Sequence, residues 1–348
     1  MKVDGYMKNE LLIEKQNSSK GLLEIITMKN DNAEVVLISN GAGIFSYQYL
    51  GHDLVITPAS IESYIKDSAY YGKTIGRTSG RLVMPSFKID DKEYPIKAYN
   101  SKYTQLHGGA TGFSKRNFFV THVDKNDEFI KVVLRYVSKD LEEGFPGELT
   151  LDVAYQLNLD GSLDITHDAI STKDTLCNIT NHAYFNFDQS QTTIYNHEIK
   201  VNASHYLDID DDNIIKAKKD VSNTAFDLRK TTNFKSAIDK MQNTSFNGFD
   251  HTWIFDSNEN DIKAKVYDPS IKIGLNLYTS YPAVVIYTHN VESGIDLNGP
   301  FDAKAKHCSF TLECQFEPGG IHHKELNQAI LRKNETYHHT IKFEPYKK

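Results

Sequence analysis

His182 stands in a tract of β-branched and aromatic residues whose remaining positions are mostly asparagine: Asn178-Ile179-Thr180-Asn181-His182-Ala183-Tyr184-Phe185-Asn186-Phe187. That composition predicts a strand, with neutral hydrogen-bonding side chains around one titratable ring. A lone histidine in such a setting is as a rule a satisfied core residue, so it carries a function only in company. A carboxylate on another strand supplies some. In Ser309-Phe310-Thr311-Leu312-Glu313-Cys314-Gln315-Phe316, alternation puts Phe310, Leu312, Cys314 and Phe316 on one face and Thr311, Glu313 and Gln315 on the other. Facing water, Glu313 is an ordinary strand residue. Lining a cleft, it is a candidate general base.

Three further segments set polar groups beside glycines. Tyr70-Tyr71-Gly72-Lys73-Thr74-Ile75-Gly76-Arg77-Thr78-Ser79-Gly80-Arg81-Leu82 spaces its glycines around two arginines. It lacks the Gly-Lys-Ser/Thr ending and the following helix of a phosphate loop, so that reading fails. Two remain: tight turns with surface arginines, or a guanidinium fork beside a ligand's oxygens. In Gln105-Leu106-His107-Gly108-Gly109, a histidine precedes paired glycines, where backbone can approach a ligand closely, although glycine-rich turns without chemistry look the same. In Phe246-Asn247-Gly248-Phe249-Asp250-His251-Thr252-Trp253, Asp250 lies among aromatic residues and leads into an apolar strand with the only tryptophan. Turn cap and ligand are equally good readings of it.

Bulk properties narrow the classes. The 348 residues carry a net charge of -7, which leaves no basic field for nucleic acid or anionic lipid. Only six arginines are present, Arg77, Arg81, Arg116, Arg135, Arg229 and Arg332, which disfavours a highly phosphorylated ligand. Three cysteines, Cys177, Cys308 and Cys314, without a CxxC pair, argue against a disulfide scaffold or a zinc cluster. The acidic group Asp208, Asp210, Asp211 and Asp212 lacks the glycine of a calcium loop and reads as a solvated turn. No uncharged apolar run is long enough to span a membrane, and residues 1–10 lack a signal-peptide core, so a cytoplasmic location is expected.

The elements that must position these groups are strands. Leu149, Leu151, Val153, Tyr155 and Leu157 alternate with Thr150, Asp152, Ala154 and Gln156, and Asp160-Gly161 then signals a hairpin before Leu163, Ile165 and His167. Further strands are predicted over 33–39, 129–137, 262–267, 271–279, 284–289 and 309–316, and short helices over 235–241 and 324–331. With no linker and no internal repeat, the expectation is one all-β domain over residues 1–348, a large antiparallel sandwich with few short helices.

Taken in order, the five segments resemble the aldose 1-epimerase (galactose mutarotase) family, from near the N-terminus to about residue 320. The resemblance implies a galactose mutarotase-like β-sandwich. It assigns Arg81, in a GRxxxRI-like stretch, and His107, in an LHGG tract, to sugar binding. His182, in NxTNHxYFN, would be the general acid and Glu313, in LExQ, the general base, with Asp250, in a GxDH-like segment, on the sugar hydroxyls. Two departures touch hydroxyl recognition: Val285 stands where many relatives have glutamine, and Pro318-Gly319-Gly320 replaces a Pro-Asp-Ala stretch.

The activity implied is interconversion of the α and β anomers of free aldohexoses such as galactose and glucose. Acid–base ring opening requires no metal, nucleotide or other cofactor, and the only partner is a small monosaccharide. Preferred aldose and oligomeric state are not set by the sequence. Rival readings are a hexose-6-phosphate 1-epimerase, a glycosidase using Asp250 and Glu313 as paired carboxylates, a non-catalytic sugar-binding module, and, least favoured, a metal enzyme, since the pairs His322-His323 and His338-His339 form no HExxH motif.

Overall fold

A computed structural model describes residues 9–256 and 261–348. The first eight residues, on which the signal-peptide expectation falls, lie outside the described residues. Strand accounts for 47% of the described residues and helix for 6%. The strand pairs are antiparallel, beginning with the hairpin expected at Asp160-Gly161. Leu149–Asn158 pairs with Leu163–Ser171, and Gly161 takes the positive φ of 84° that the turn requires. This hairpin lies within a nine-stranded sheet, which continues through Thr336–Lys347 and Ile273–Thr279 on one side and Phe129–Ser138 on the other.

Alternation decides which face of that sheet is dry. Leu149, Leu151, Val153, Tyr155 and Leu157 are wholly buried, whereas Thr150, Asp152 and Gln156 point the other way. Across the core lie a five-stranded sheet from residues 10–53, contributing Ile26, Met28, Val35, Leu37 and Tyr47, and a second five-stranded sheet, contributing Trp253, Val284, Ile286 and Cys314. The sandwich expected from the sequence is therefore the observed fold. Tyr155 ties the layers by a polar contact as well, donating its hydroxyl to the carbonyl of Ala42 at 2.6 Å.

Local departures have local causes. The strand expected over 309–316 is two pieces, Phe310–Thr311 and Glu313–Gln315, interrupted at Leu312, because its halves pair with different sheets. Around His182, Thr180–Asn181 and Tyr184–Phe185 are likewise short strands with the histidine in the kink between them. A helix does form at Phe234–Asp239, where the Asn233 side chain accepts from the Ser236 N–H as N-cap. The helix expected over 324–331 is absent. Ala329 has a φ of 52°, outside the helical region, and Ile330–Leu331 instead pairs as a strand with Thr175–Leu176. Among the described residues no helix is long and apolar enough to cross a membrane.

Burial of imidazoles gives the fold a pH dependence. It drives His107 well below the usual 6.5, His167 down to about 3, and His182, His197, His251, His289 and His339 down to about 4. The unfolded chain therefore binds protons from about pH 6.5 downward that the native protein refuses, so stability falls as pH drops from there toward 4. Glu313, raised to about 8 chiefly by burial, and Asp67 and Asp164, also raised chiefly by burial, work in the opposite sense but are three groups against seven. The urea midpoint is expected to be clearly lower at pH 5 than at pH 7.5; an unchanged midpoint would contradict neutral burial of these rings.

Candidate active site

The second five-stranded sheet builds the floor of a cleft of about 410 Å³. Three of its strands, Asp250–Ile254, Ala283–Tyr287 and Glu313–Gln315, lie side by side, with Thr252 opposite Val285 and Val285 opposite Glu313. Residues directly opposite in antiparallel strands share a face, so this row looks into the cleft together. The neighbouring row, Trp253, Val284 and Cys314, points into the core and is wholly buried. A register slip of one residue would exchange the two rows and bury Glu313 in hydrocarbon.

The opposite wall carries His182. Its N–H donates to the carbonyl of Lys73 and its carbonyl accepts from the N–H of Gly72, both at 2.9 Å, so the kink is clamped from both sides. The asparagines of the tract complete the clamp by bonding backbone, not the imidazole as the sequence suggested. Asn181 Nδ2 donates to the Gly72 carbonyl at 2.9 Å. Asn178 accepts from the Phe316 N–H at 2.9 Å and donates to its carbonyl at 3.1 Å, at the end of the segment that carries Glu313. Across the gap, His182 Nε2 lies 3.3 Å from Glu313 Oε1, with both side chains almost fully buried.

Arg81, His107 and Asp250 line the same cleft, so the structure brings all five sequence-selected residues together. Arg81 lies 3.6 Å from the Asp250 carboxylate. Arg77, the other arginine of the glycine-spaced stretch, is only 2% exposed. It donates to the carbonyls of Pro146, Ser138, Lys139 and Gly147 at 2.8–3.1 Å, a structural tie between loops. Gly108, with φ of 77°, allows the backbone after His107 to press against the Gly76 carbonyl. Gly319, at φ 69°, does the same for the Arg81 segment, since an added Cβ would stand 2.8 Å from the Arg81 carbonyl.

Burial sets the electrostatics. It is the main cause lifting Glu313 to about 8, helped by the Asp250 charge and opposed by Thr311, Arg81 and Gln315. It is also the main cause lowering His182 to about 4, against its own backbone hydrogen bond and Asp250. His107, His182 and Glu313 have ligand atoms within 4.8 Å of one another, spacing that a metal ion would suit. The donor chemistry does not suit it. The Gly80 N–H donates to His107 Nδ1 at 3.1 Å, so the ring proton sits on Nε2 and neither nitrogen offers a metal a lone pair. His107 is set up to donate a hydrogen bond.

The sequence reading missed several lining groups: Tyr70, Tyr184, Asn213, Thr252 and Tyr287. Asn213 donates to Asp250 Oδ2 at 2.7 Å from the tip of the acidic hairpin loop. Only its place in a turn marked it, because the contact spans 37 residues and the aspartates around it read as solvated. Thr252 follows from alternation once Asp250 is placed on a strand.

Residues 24–344 match the family model described as aldose 1-epimerase. The chain is 34% identical to the galactose mutarotase of Homo sapiens over 335 residues, covering 94% of this chain and 95% of that protein. It is 31% identical to the aldose 1-epimerase of Escherichia coli over 327 residues, 90% and 92% of the two chains. Its structure is similar to that of galactose 1-epimerase from Lactobacillus acidophilus, with a TM-score of 0.86, 26% identity, and coverage of 98% and 99%.

The Asp250 charge has a consequence that can be measured at Glu313. Asp250→Asn removes a negative neighbour, so the Glu313 carboxyl should titrate lower. Infrared titration of the carboxyl stretch that disappears in Glu313→Gln reads this directly; an upward shift would show that Asp250 does not act on Glu313 through its charge.

Proposed function

The chain belongs to the aldose 1-epimerase family, enzymes that interconvert aldose anomers, and on that footing we propose that Glu313 and His182 open and reclose the ring of free galactose and glucose. The contact of 3.3 Å between His182 Nε2 and Glu313 Oε1, buried in a cleft that Arg81, His107 and Asp250 also line, carries the reading.

Ring opening of a hemiacetal needs one proton removed from the C1 hydroxyl and one delivered to the ring oxygen. Glu313, as carboxylate, takes the first; His182, as imidazolium, gives the second. The C1–O5 bond breaks and its electron pair goes to O5, leaving an aldehyde, a protonated Glu313 and a neutral His182. Rotation about C1–C2 presents the other carbonyl face. The protons then return, from Glu313 to the carbonyl oxygen and from O5 to His182, and the ring closes as the other anomer.

The burial that shifts both groups favours these transfers. A carboxylate with affinity raised to about 8 is a stronger base, and an imidazolium lowered to about 4 is a stronger acid. Their proton ends where burial prefers it, on Glu313, in the open-chain state. Arg81, His107 and Asp250 hold the outer hydroxyls, with Arg81 and Asp250 as a polar pair and His107 Nε2–H as a donor. Among the described lining residues Arg81 is the one arginine or lysine, and it already faces Asp250, which disfavours a phosphorylated sugar. Val285 sits beside Glu313 in the cleft floor and offers a C–H surface to the sugar.

Two outcomes test the reading. The pair must carry one proton, so kcat/KM should be highest between about pH 4 and about pH 8 and fall on both sides. A rate that climbs steadily with pH would exclude this pair. In polarimetry of freshly dissolved α-D-galactose and α-D-glucose, the protein should speed the approach to the final rotation. Glu313→Gln should slow it by about 10²–10⁴-fold, the range of general acid–base catalysis. Full activity in that variant would remove Glu313 from the chemistry, and acceleration confined to glucose 6-phosphate would transfer the reading to the phosphorylated substrate.

A further inference from the structure

We propose that Thr311 is a positioning residue for this reaction, holding Glu313 so that Oε2 faces the sugar. The inference rests on the acid–base reading above and concerns a side chain that reaches the reaction only through Glu313.

Thr311 lies where the chain passes from one sheet to another. Its backbone pairs with Tyr184 in the small three-stranded sheet, and two residues later Glu313 pairs with Val285 in the five-stranded sheet. The strand is broken at Leu312, and at this break the Tyr287 N–H donates to Thr311 Oγ1 at 3.1 Å, so a side chain takes the place of a backbone acceptor. The hydroxyl is thereby oriented from behind by a main-chain donor. It passes its own proton forward to Glu313 Oε1, at 3.0 Å.

The same Oε1 is the oxygen 3.3 Å from His182 Nε2. Two neighbours on one oxygen fix the carboxyl rotamer and leave Oε2 for the C1 hydroxyl. A hydroxyl whose proton is committed to Oε1 also favours the carboxylate form, because it bonds the charged state more strongly than the neutral one. Thr311 is wholly buried and Glu313 nearly so, a setting in which a hydrogen bond between them is electrostatically stronger than in water. The other groups facing Glu313 are His182, His107, Tyr184, Asp250, Arg81 and Gln315. Of these Asp250 opposes its ionisation, while Arg81 and Gln315 assist it as Thr311 does.

Thr311→Val keeps the shape and removes the hydroxyl; Thr311→Ser keeps the hydroxyl. In the valine variant kcat should fall about tenfold or more with KM changed less than about threefold, and the alkaline limb of the rate profile should move up by about one pH unit, the size expected for one hydrogen bond to a charged group. Serine should restore both. A valine variant with unchanged kcat and an unchanged alkaline limb would overturn the proposal, as would a serine variant that fails to restore them. Valine strands the buried Tyr287 N–H, so if it fails to fold, Thr311→Cys, a weaker donor, should shift the limb in the same direction; no shift would again overturn it. Infrared titration of the Glu313 carboxyl reads the same shift without turnover. It separates failure at Thr311 from failure of the mutarotase reading, which would appear as no acceleration by the unmutated protein.

Discussion

The buried contact between His182 and Glu313 is the constraint around which the rest of the molecule is arranged. Neither group keeps a charge easily in that setting, and neither is left without polar company. Holding two such side chains 3.3 Å apart, on segments separated by 131 positions of chain numbering, requires rigid backbone on both sides. The tract around His182 supplies it through amide side chains. Asn178 bridges to Phe316, next to the strand of Glu313; Asn181 bridges to Gly72; Asn186 bridges to the Cys308 carbonyl at 2.8 Å. Each asparagine replaces ladder bonds that short, kinked strands cannot make.

The sheets impose the second layer of order. A strand offers one face to the core and one to the cleft, so the same three strands that bury Trp253, Val284 and Cys314 present Thr252, Val285 and Glu313 to the cleft. Packing of the core thus fixes the register of the polar row, and the site inherits its precision from hydrophobic burial. The two arginines of one glycine-spaced stretch divide along similar lines. Arg77 is consumed by backbone carbonyls, whereas Arg81, four residues on, reaches the cleft and Asp250.

Much of this was legible in residue order. Period-two alternation, turn dipeptides and the scarcity of helical pattern gave an antiparallel sandwich, because those signals are local and each strand's face follows from its own residues. The failures arose where a distant partner overrode a local signal. At 324–331 the apolar spacing suits a helix, but Ala329 adopts a left-handed backbone and Ile330–Leu331 finds a strand partner some 155 residues upstream, at Thr175–Leu176. Tertiary pairing overrode a weak propensity there.

By itself the sequence singled out the side chains proposed to carry chemistry and, for Glu313, the face of its strand. A histidine, a glutamate, an aspartate and an arginine in recognisable settings are properties of the chain. Tertiary structure decided what those groups do to one another. Only the folded chain buries His182 and Glu313 enough to reverse their ordinary order of proton affinity, directs the Gly80 N–H onto His107 so that it donates and cannot ligate a metal, and carries Asn213 to Asp250. The physical reason is range. Alternation and turn chemistry act over a few residues, whereas desolvation and hydrogen-bond geometry depend on segments far apart in sequence that meet only when the sheets close on each other.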